Sequence, residues 1–148
     1  MCGIWVLVDK EKRDVTELVT QFDQIAVRGP DYSSFETYPA TCGNVYIGFH
    51  RLAIVNTSLY GNQPFILEKG DRTIVFVCNG EIYNWEQICR SHGFTCTNDC
   101  MVVPQLYLEN PNEFQKAVSS LKGEFAFVLL EFIRESTGSD YDRLRCSR

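Results

Sequence analysis

Met1-Cys2-Gly3-Ile4-Trp5-Val6-Leu7-Val8 opens the chain. The unbroken apolar run at positions 4–8 predicts a strand buried on both faces. Gly3, just before it, leaves room for a substrate to approach the backbone. Cys2 has two readings. If Met1 is removed, which a small second residue permits, Cys2 carries a thiol nucleophile and a free α-amine. Such an amine, with an unperturbed pKa of about 7.7–8.0, is partly neutral at cellular pH. It can take the thiol's proton, directly or through one water, and later return it to a leaving group. If Met1 stays, Cys2 is a small apolar residue at the start of an ordinary core strand.

Outward from this strand, 148 residues suit one domain with a real core. A hydrophobic content of 45% with 22% charged residues is globular. The net charge of −5 argues against a nucleic-acid or acidic-membrane surface. No segment approaches the roughly 18 apolar residues of a membrane span, and the N-terminus lacks the pattern of a signal peptide, so a cytoplasmic protein is expected. The seven cysteines (2, 42, 78, 89, 96, 100 and 146) are odd in number and without C-x-x-C spacing. Cys96-x₃-Cys100 beside His92 resembles half a zinc site, but no second ligand pair accompanies it. Free thiols and no metal are the expectation.

A helical stripe covers residues 15–27, ended by Arg28-Gly29-Pro30-Asp31. Residues 35–38 are too short to assign, and 45–50 read as a strand running into Arg51. After the turn Gly61-Asn62-Gln63-Pro64, a short apolar stretch at 65–67 and a tight turn at 68–71 lead to the β-branched strand 73–78. Asn79-Gly80 is expected to end that strand. Asn84 and Asp99 are candidate caps for helices at 85–89 and 100–108, with Pro104 inside the second. A helix at 113–121, a strand at 125–132, a turn at 137–140 and a short strand near Leu144 complete the chain. This order predicts an α+β domain with mostly antiparallel pairing.

Four segments are more polar than a core requires. Besides Cys2 there is Arg51, whose apolar followers place its guanidinium either in a cleft, suited to a carboxylate, or in a structural ion pair. Asn79 and Gly80 either make a plain turn or present a side-chain amide and a bare N–H to a developing oxyanion. Asp99, in Thr97-Asn98-Asp99, either caps a helix or, near Arg51, grips an ammonium group. Together these offer a thiol nucleophile, an amine base, an oxyanion hole, and groups for a carboxylate and an ammonium. Glutamine satisfies all five.

Six segments, in order, resemble one family: Met1-Cys2-Gly3-Ile4-Trp5, Arg28-Gly29-Pro30-Asp31, Gly48-Phe49-His50-Arg51-Leu52-Ala53-Ile54-Val55, Gly61-Asn62-Gln63-Pro64, Asn79-Gly80-Glu81-Ile82-Tyr83-Asn84 and Gly123-Glu124-Phe125-Ala126-Phe127. The chain is similar to the N-terminal glutaminase domain of glutamine-hydrolysing asparagine synthetase, a class II amidotransferase of the N-terminal-nucleophile (Ntn) hydrolase superfamily. The resemblance implies a four-layer αββα sandwich in which Cys2 is the nucleophile and its own amine the base. It implies an oxyanion hole at Asn79 and Gly80. Arg51, the backbone of Leu52, Ala53, Ile54 and Val55, Asn79, Gly80, Glu81 and Asp99 would hold L-glutamine. No cofactor is implied for that step. ATP and Mg would enter only with a synthetase domain or subunit that receives the ammonia and activates aspartate.

The chain departs from the family at Asn56 and Met101, where the pattern has acidic residues. Residues 144–148 reach the start of the family's closing segment and stop, which implies one incomplete domain over 1–148 without the synthetase part. Two functions follow: glutamine hydrolysis feeding an asparagine synthetase, or a truncated non-catalytic remnant that keeps the fold and binds glutamine or a partner subunit.

Overall fold

The computed structural model describes residues 1–40, 43–54, 58–133 and, for backbone alone, 143–145. Two antiparallel sheets stack face to face between helices. The first has the order β1-β3-β2, with β1 Gly3–Asp9, β2 Tyr32–Ala40 and β3 Gly43–Arg51. The second has the order β4-β5-β6-β7, with β4 Phe65–Lys69, β5 Arg72–Ile82, β6 Gly123–Ile133 and β7 Arg143–Arg145. Helix α1 (Val15–Asp23) covers the outside of the first sheet. Helices α2 (Trp85–His92), α3 (Val102–Glu109) and α4 (Phe114–Ser119) cover the second. The result is the expected αββα sandwich, and every described strand pair is antiparallel.

Alternation along the central strands makes the layers. On β3, Val45, Ile47 and Phe49 face the other sheet and meet Val75 and Val77 of β5 and Leu130 and Phe132 of β6. The opposite face of β3 meets α1: Phe22 stacks on His50 at 3.8 Å, and Tyr46 accepts a hydrogen bond from Arg13 N–H at 2.8 Å. On β5, Ile74, Phe76, Cys78 and Ile82 face α2–α4 and form the second core with Val102, Val103 and Leu106.

Several expectations are corrected. Strand β1 is not buried on both faces: it is an edge strand, Ile4–Leu7 are half-buried and Val8 is exposed. Gly3 serves packing rather than substrate access, since a Cβ there would meet Ile25 and His50 at 3.2 and 3.4 Å. Helix α1 stops at Asp23, and residues 26–28 form a separate 3₁₀ turn. Strand β5 does not end at Asn79-Gly80 but pairs with β6 as far as Ile82 opposite Gly123. Asn84 precedes α2 without a side-chain cap; its amide spans Ser120 O and Lys122 N–H instead. Asn98 rather than Asp99 caps the 3₁₀ turn Asp99–Met101, and Pro104 sits in the first turn of α3, where its missing donor is tolerated. The turn at 137–140, Val55 and Asn56 lie outside the described residues.

Candidate functional site

Past Phe76, β4 no longer pairs with β5, so the stretch from Cys78 to Ile82 has an open edge. Tyr83 N–H bonds Lys122 O, which makes the odd residues of this stretch the ones bonded to β6. The even residues point their backbone groups outward, and each finds a non-strand partner. Gln63 Oε1 accepts from Cys78 N–H at 2.6 Å and its Nε2 donates to Cys78 O at 3.1 Å. Asp99 Oδ2 accepts from Ile82 N–H at 2.8 Å, and Cys100 Sγ approaches Gly80 O at 3.9 Å. By the same alternation the Gly80 N–H faces the open edge. Only glycine fits at position 80: φ is +144°, and a Cβ would fall 2.0 Å from Glu124 O.

The inward face of β5 runs Val75, Val77, Asn79, an apolar face that turns polar where it reaches Cys2 between the sheets. Asn79 Oδ1 is buried and has no partner among the described residues. An orphaned buried acceptor is costly and calls for a ligand, a water or a function. Cys2 Sγ accepts from Leu52 N–H at 3.4 Å, and the Arg28 guanidinium donates from Nε to Cys2 O at 3.1 Å. Asp31 holds the strand exit: its Oδ2 accepts from Ala53 N–H at 2.7 Å, and its own N–H bonds Arg51 O.

Arg51, at the end of β3, is 7% exposed and donates from Nη1 to Ser58 O at 2.8 Å and Asn62 Oδ1 at 2.6 Å. A Cβ on Gly61 would lie 2.2 Å from Nη2, so this loop must be bare to admit the guanidinium. His50 belongs to the structure and not to the site. It is 1% exposed; since a carbonyl can only accept, its Nε2 carries a proton toward Phe22 O at 3.2 Å, and Nδ1 meets Ser33 Oγ at 2.7 Å.

These groups surround a cleft of about 240 Å³, room for a molecule of amino-acid size. It brings together Cys2, Arg51, Leu52, Ala53, Ile54, Asn79, Gly80, Glu81 and Asp99, which is every sequence-predicted site residue that the structure describes. Residues 28, 31 and 63 were legible only as motif members; nothing in their own spacing announces that they fasten the site. Met1 also lines the cleft and is exposed, and with it in place the Cys2 nitrogen is an amide. Among the described residues no group of three or more His, Cys, Asp or Glu side chains could hold a metal ion. No helix among them is long and apolar enough to cross a membrane.

The cleft thus holds the Cys2 thiol, the Asn79 side chain, the open edge at Gly80, the Arg51 guanidinium and the carboxylates of Glu81 and Asp99. Residues 1–144 match the glutamine amidotransferase domain, and the chain belongs to that family. Within it, the chain is 37% identical over 137 residues to glutamine-hydrolyzing asparagine synthetase 3 of Arabidopsis thaliana, covering 88% of this chain and 22% of that protein. It is 38% identical over 134 residues to the glutamine-hydrolyzing asparagine synthetase of Gallus gallus, covering 88% and 23%. The chain thus spans less than a quarter of the length of these relatives. Among solved structures, the allosteric regulatory enzyme of purine biosynthesis shares the fold with a TM-score of 0.54 at 20% identity, covering 88% of this chain and 29% of that one. The shared fold is the αββα sandwich.

Proposed function

We propose that this chain hydrolyses the side-chain amide of L-glutamine with Cys2 as nucleophile, after removal of Met1. The freed α-amine takes the thiol proton as sulfur attacks the amide carbon. The carbonyl oxygen, now negative, accepts from the Asn79 side-chain amide and the Gly80 N–H. Collapse releases ammonia, protonated by the same amine, and leaves a glutamyl thioester that water cleaves to glutamate. Arg51 takes the α-carboxylate, and Asp99 with Glu81 takes the α-ammonium. The observation that supports this reading best is the cleft itself, which gathers the Cys2 thiol, the side chain of Asn79 with its buried Oδ1 unpartnered among the described residues, and the open edge at Gly80. In a longer protein the ammonia would pass to a synthetase part that makes asparagine with ATP and Mg. A cytoplasmic site of action fits a thiol that must stay reduced.

The test is release of glutamate and ammonia from glutamine by the processed protein. Cys2→Ser is expected to lose most of the activity, because a hydroxyl is a far poorer nucleophile near neutral pH. A tag that blocks the Cys2 amine is expected to be comparably damaging. Full activity in the tagged protein would remove the amine from the mechanism. Glutamine binding without hydrolysis in the untagged, processed protein would leave a binding domain.

A further inference from the structure

Beyond β4, the open edge of β5 displays the backbone groups of residues 78, 80 and 82, because the odd residues bond to β6. In an antiparallel strand the N–H and C=O of one residue point to the same side, so each of the three shows a donor and an acceptor together. Gln63 takes both groups of Cys78. Asp99 Oδ2 accepts from the Ile82 N–H at 2.8 Å, and the Cys100 thiol donates to Gly80 O at 3.9 Å, a weak contact whose length suits the large sulfur atom. The Gly80 N–H is left uncommitted among the described residues, at the cleft that Cys2 and Asn79 line.

Two neighbouring residues of one 3₁₀ turn thus hold this edge at two points. The turn itself is firm. Asn98 Oδ1 accepts from Met101 N–H at 3.1 Å and closes it, Cys100 is 6% exposed, and Val102 and Val103 just after it are wholly buried in the core under β5. Gly80 is the opposite. Its φ of +144° lies where glycine alone goes freely, it has no side chain to pack, and β4 does not reach it. Among the described residues, what holds its own backbone on the open side is the Cys100 thiol. A buried thiol keeps its proton at neutral pH, so the S–H donor is always present.

We propose that Asp99 and Cys100 are positioning residues: their turn stands in for a missing edge strand and holds Gly80 so that its N–H stays aimed at the developing oxyanion. This rests on the glutaminase reading and gives Asp99 a second task. Oδ2 is spent on Ile82, which leaves Oδ1 for the α-ammonium. A donor fixed in advance needs no reorganisation in the transition state. Loosening it leaves ground-state binding alone and shows in kcat. Recognition of the ammonium and stabilisation of the oxyanion then share one support.

The test compares Cys100→Val, which keeps the shape and deletes the donor, with Asp99→Asn and Asp99→Ala. Cys100→Val is expected to lower kcat for glutamine about 5-fold or more, between the worth of a weak hydrogen bond and the roughly 10²–10³ of a whole oxyanion donor, with KM within about 2-fold. Asp99→Asn keeps an acceptor for Ile82 and loses the charge, so KM rises while kcat holds. Asp99→Ala loses both, and kcat falls as well. A readout that needs no activity is the Gly80 amide signal in protein labelled with ¹⁵N-glycine, where ten glycines give a spectrum small enough to assign. That signal is expected to shift and broaden in Cys100→Val, while those of Gly43 and Gly70, outside the cleft, stay in place. Cys100→Ala deletes the same donor without added bulk and repeats both readouts if the valine variant does not fold. An unmoved Gly80 signal with kcat retained would overturn the proposal, as would a lower melting temperature with kcat unchanged. An inactive parent whose Gly80 signal still answers Cys100→Val would sink the glutaminase reading and leave Cys100 as the anchor of Gly80.

Discussion

The Arg51 guanidinium donates from Nη1 to Ser58 O and Asn62 Oδ1 and lines the cleft as well. A bidentate grip on a substrate and a structural anchor are therefore not alternatives at this residue, although the sequence alone sets them against each other. Lysine keeps the charge but offers one point donor in place of a planar fork, so it cannot hold the 58–62 loop and reach into the cleft together. A charge-assisted hydrogen bond is worth about 1.5–3 kcal/mol. Arg51→Lys is thus expected to lower kcat/KM for glutamine by roughly 10- to 150-fold, mostly through KM, because the contact exists before and during the reaction. It is also expected to lower the melting temperature, by about 2–4 °C for each kcal/mol lost. Kinetics and thermal melts on one preparation check both. A lower melting temperature with an unchanged KM would leave Arg51 as a loop anchor only.

At the scale of elements, the site exists because β5 outruns β4. Gln63 completes the exposed edge as one residue's worth of strand, its amide meeting both backbone groups of Cys78. Gln63→Leu keeps much of the bulk and leaves a buried N–H and C=O unpaired. At about 1–3 kcal/mol for each stranded group, the expected cost is roughly 2–6 kcal/mol, read as a lower denaturant midpoint at constant slope. A loss below about 0.5 kcal/mol would mean that water or the backbone replaces the amide at this edge. The β-branched run at 73–78 made the body of β5 legible, but its end was misread because Asn-Gly favours turns. What overrides that preference is long-range: β6 supplies pairing through residue 123, and Gly80 accepts the backbone contact that any side chain would block. Cys2, Arg51, Asn79, Gly80 and Asp99 could be gathered from sequence because chemistry and motif agree on them. Gln63, Arg28 and Asp31 act through backbone partners far along the chain, which residue type and spacing do not reveal.

On the scale of the whole molecule, one sheet serves two cores, and its helix-facing side carries a buried charge. Glu131 of β6, 4% exposed, is ion-paired with Arg72 of β5 and accepts from the Tyr107 hydroxyl of α3 at 2.9 Å. The Arg72 guanidinium also lies over the Tyr107 ring, 5.5 Å from its centre. This cluster ties the helix layer to both central strands. Burial, and then the hydrogen bond to Glu131, raises the Tyr107 pKa above the ordinary tyrosine value of 10. The native state therefore holds a proton that the unfolded chain gives up above about pH 10. The associated stabilisation is fully present below that pH and is lost as pH rises through the folded pKa. Tyr107→Phe removes the hydroxyl from a buried carboxylate, so stability at neutral pH is expected to fall by about 1–3 kcal/mol. The variant is also expected to lose less stability than the parent between pH 9.5 and 11, because one contributor to the alkaline slope is gone. Denaturant midpoints of both proteins across that range isolate Tyr107 from the other tyrosines, whose titration is common to the pair. Parallel alkaline slopes would show that Tyr107 ionises alike in the folded and unfolded chains, and that Arg72 alone holds Glu131 between the layers.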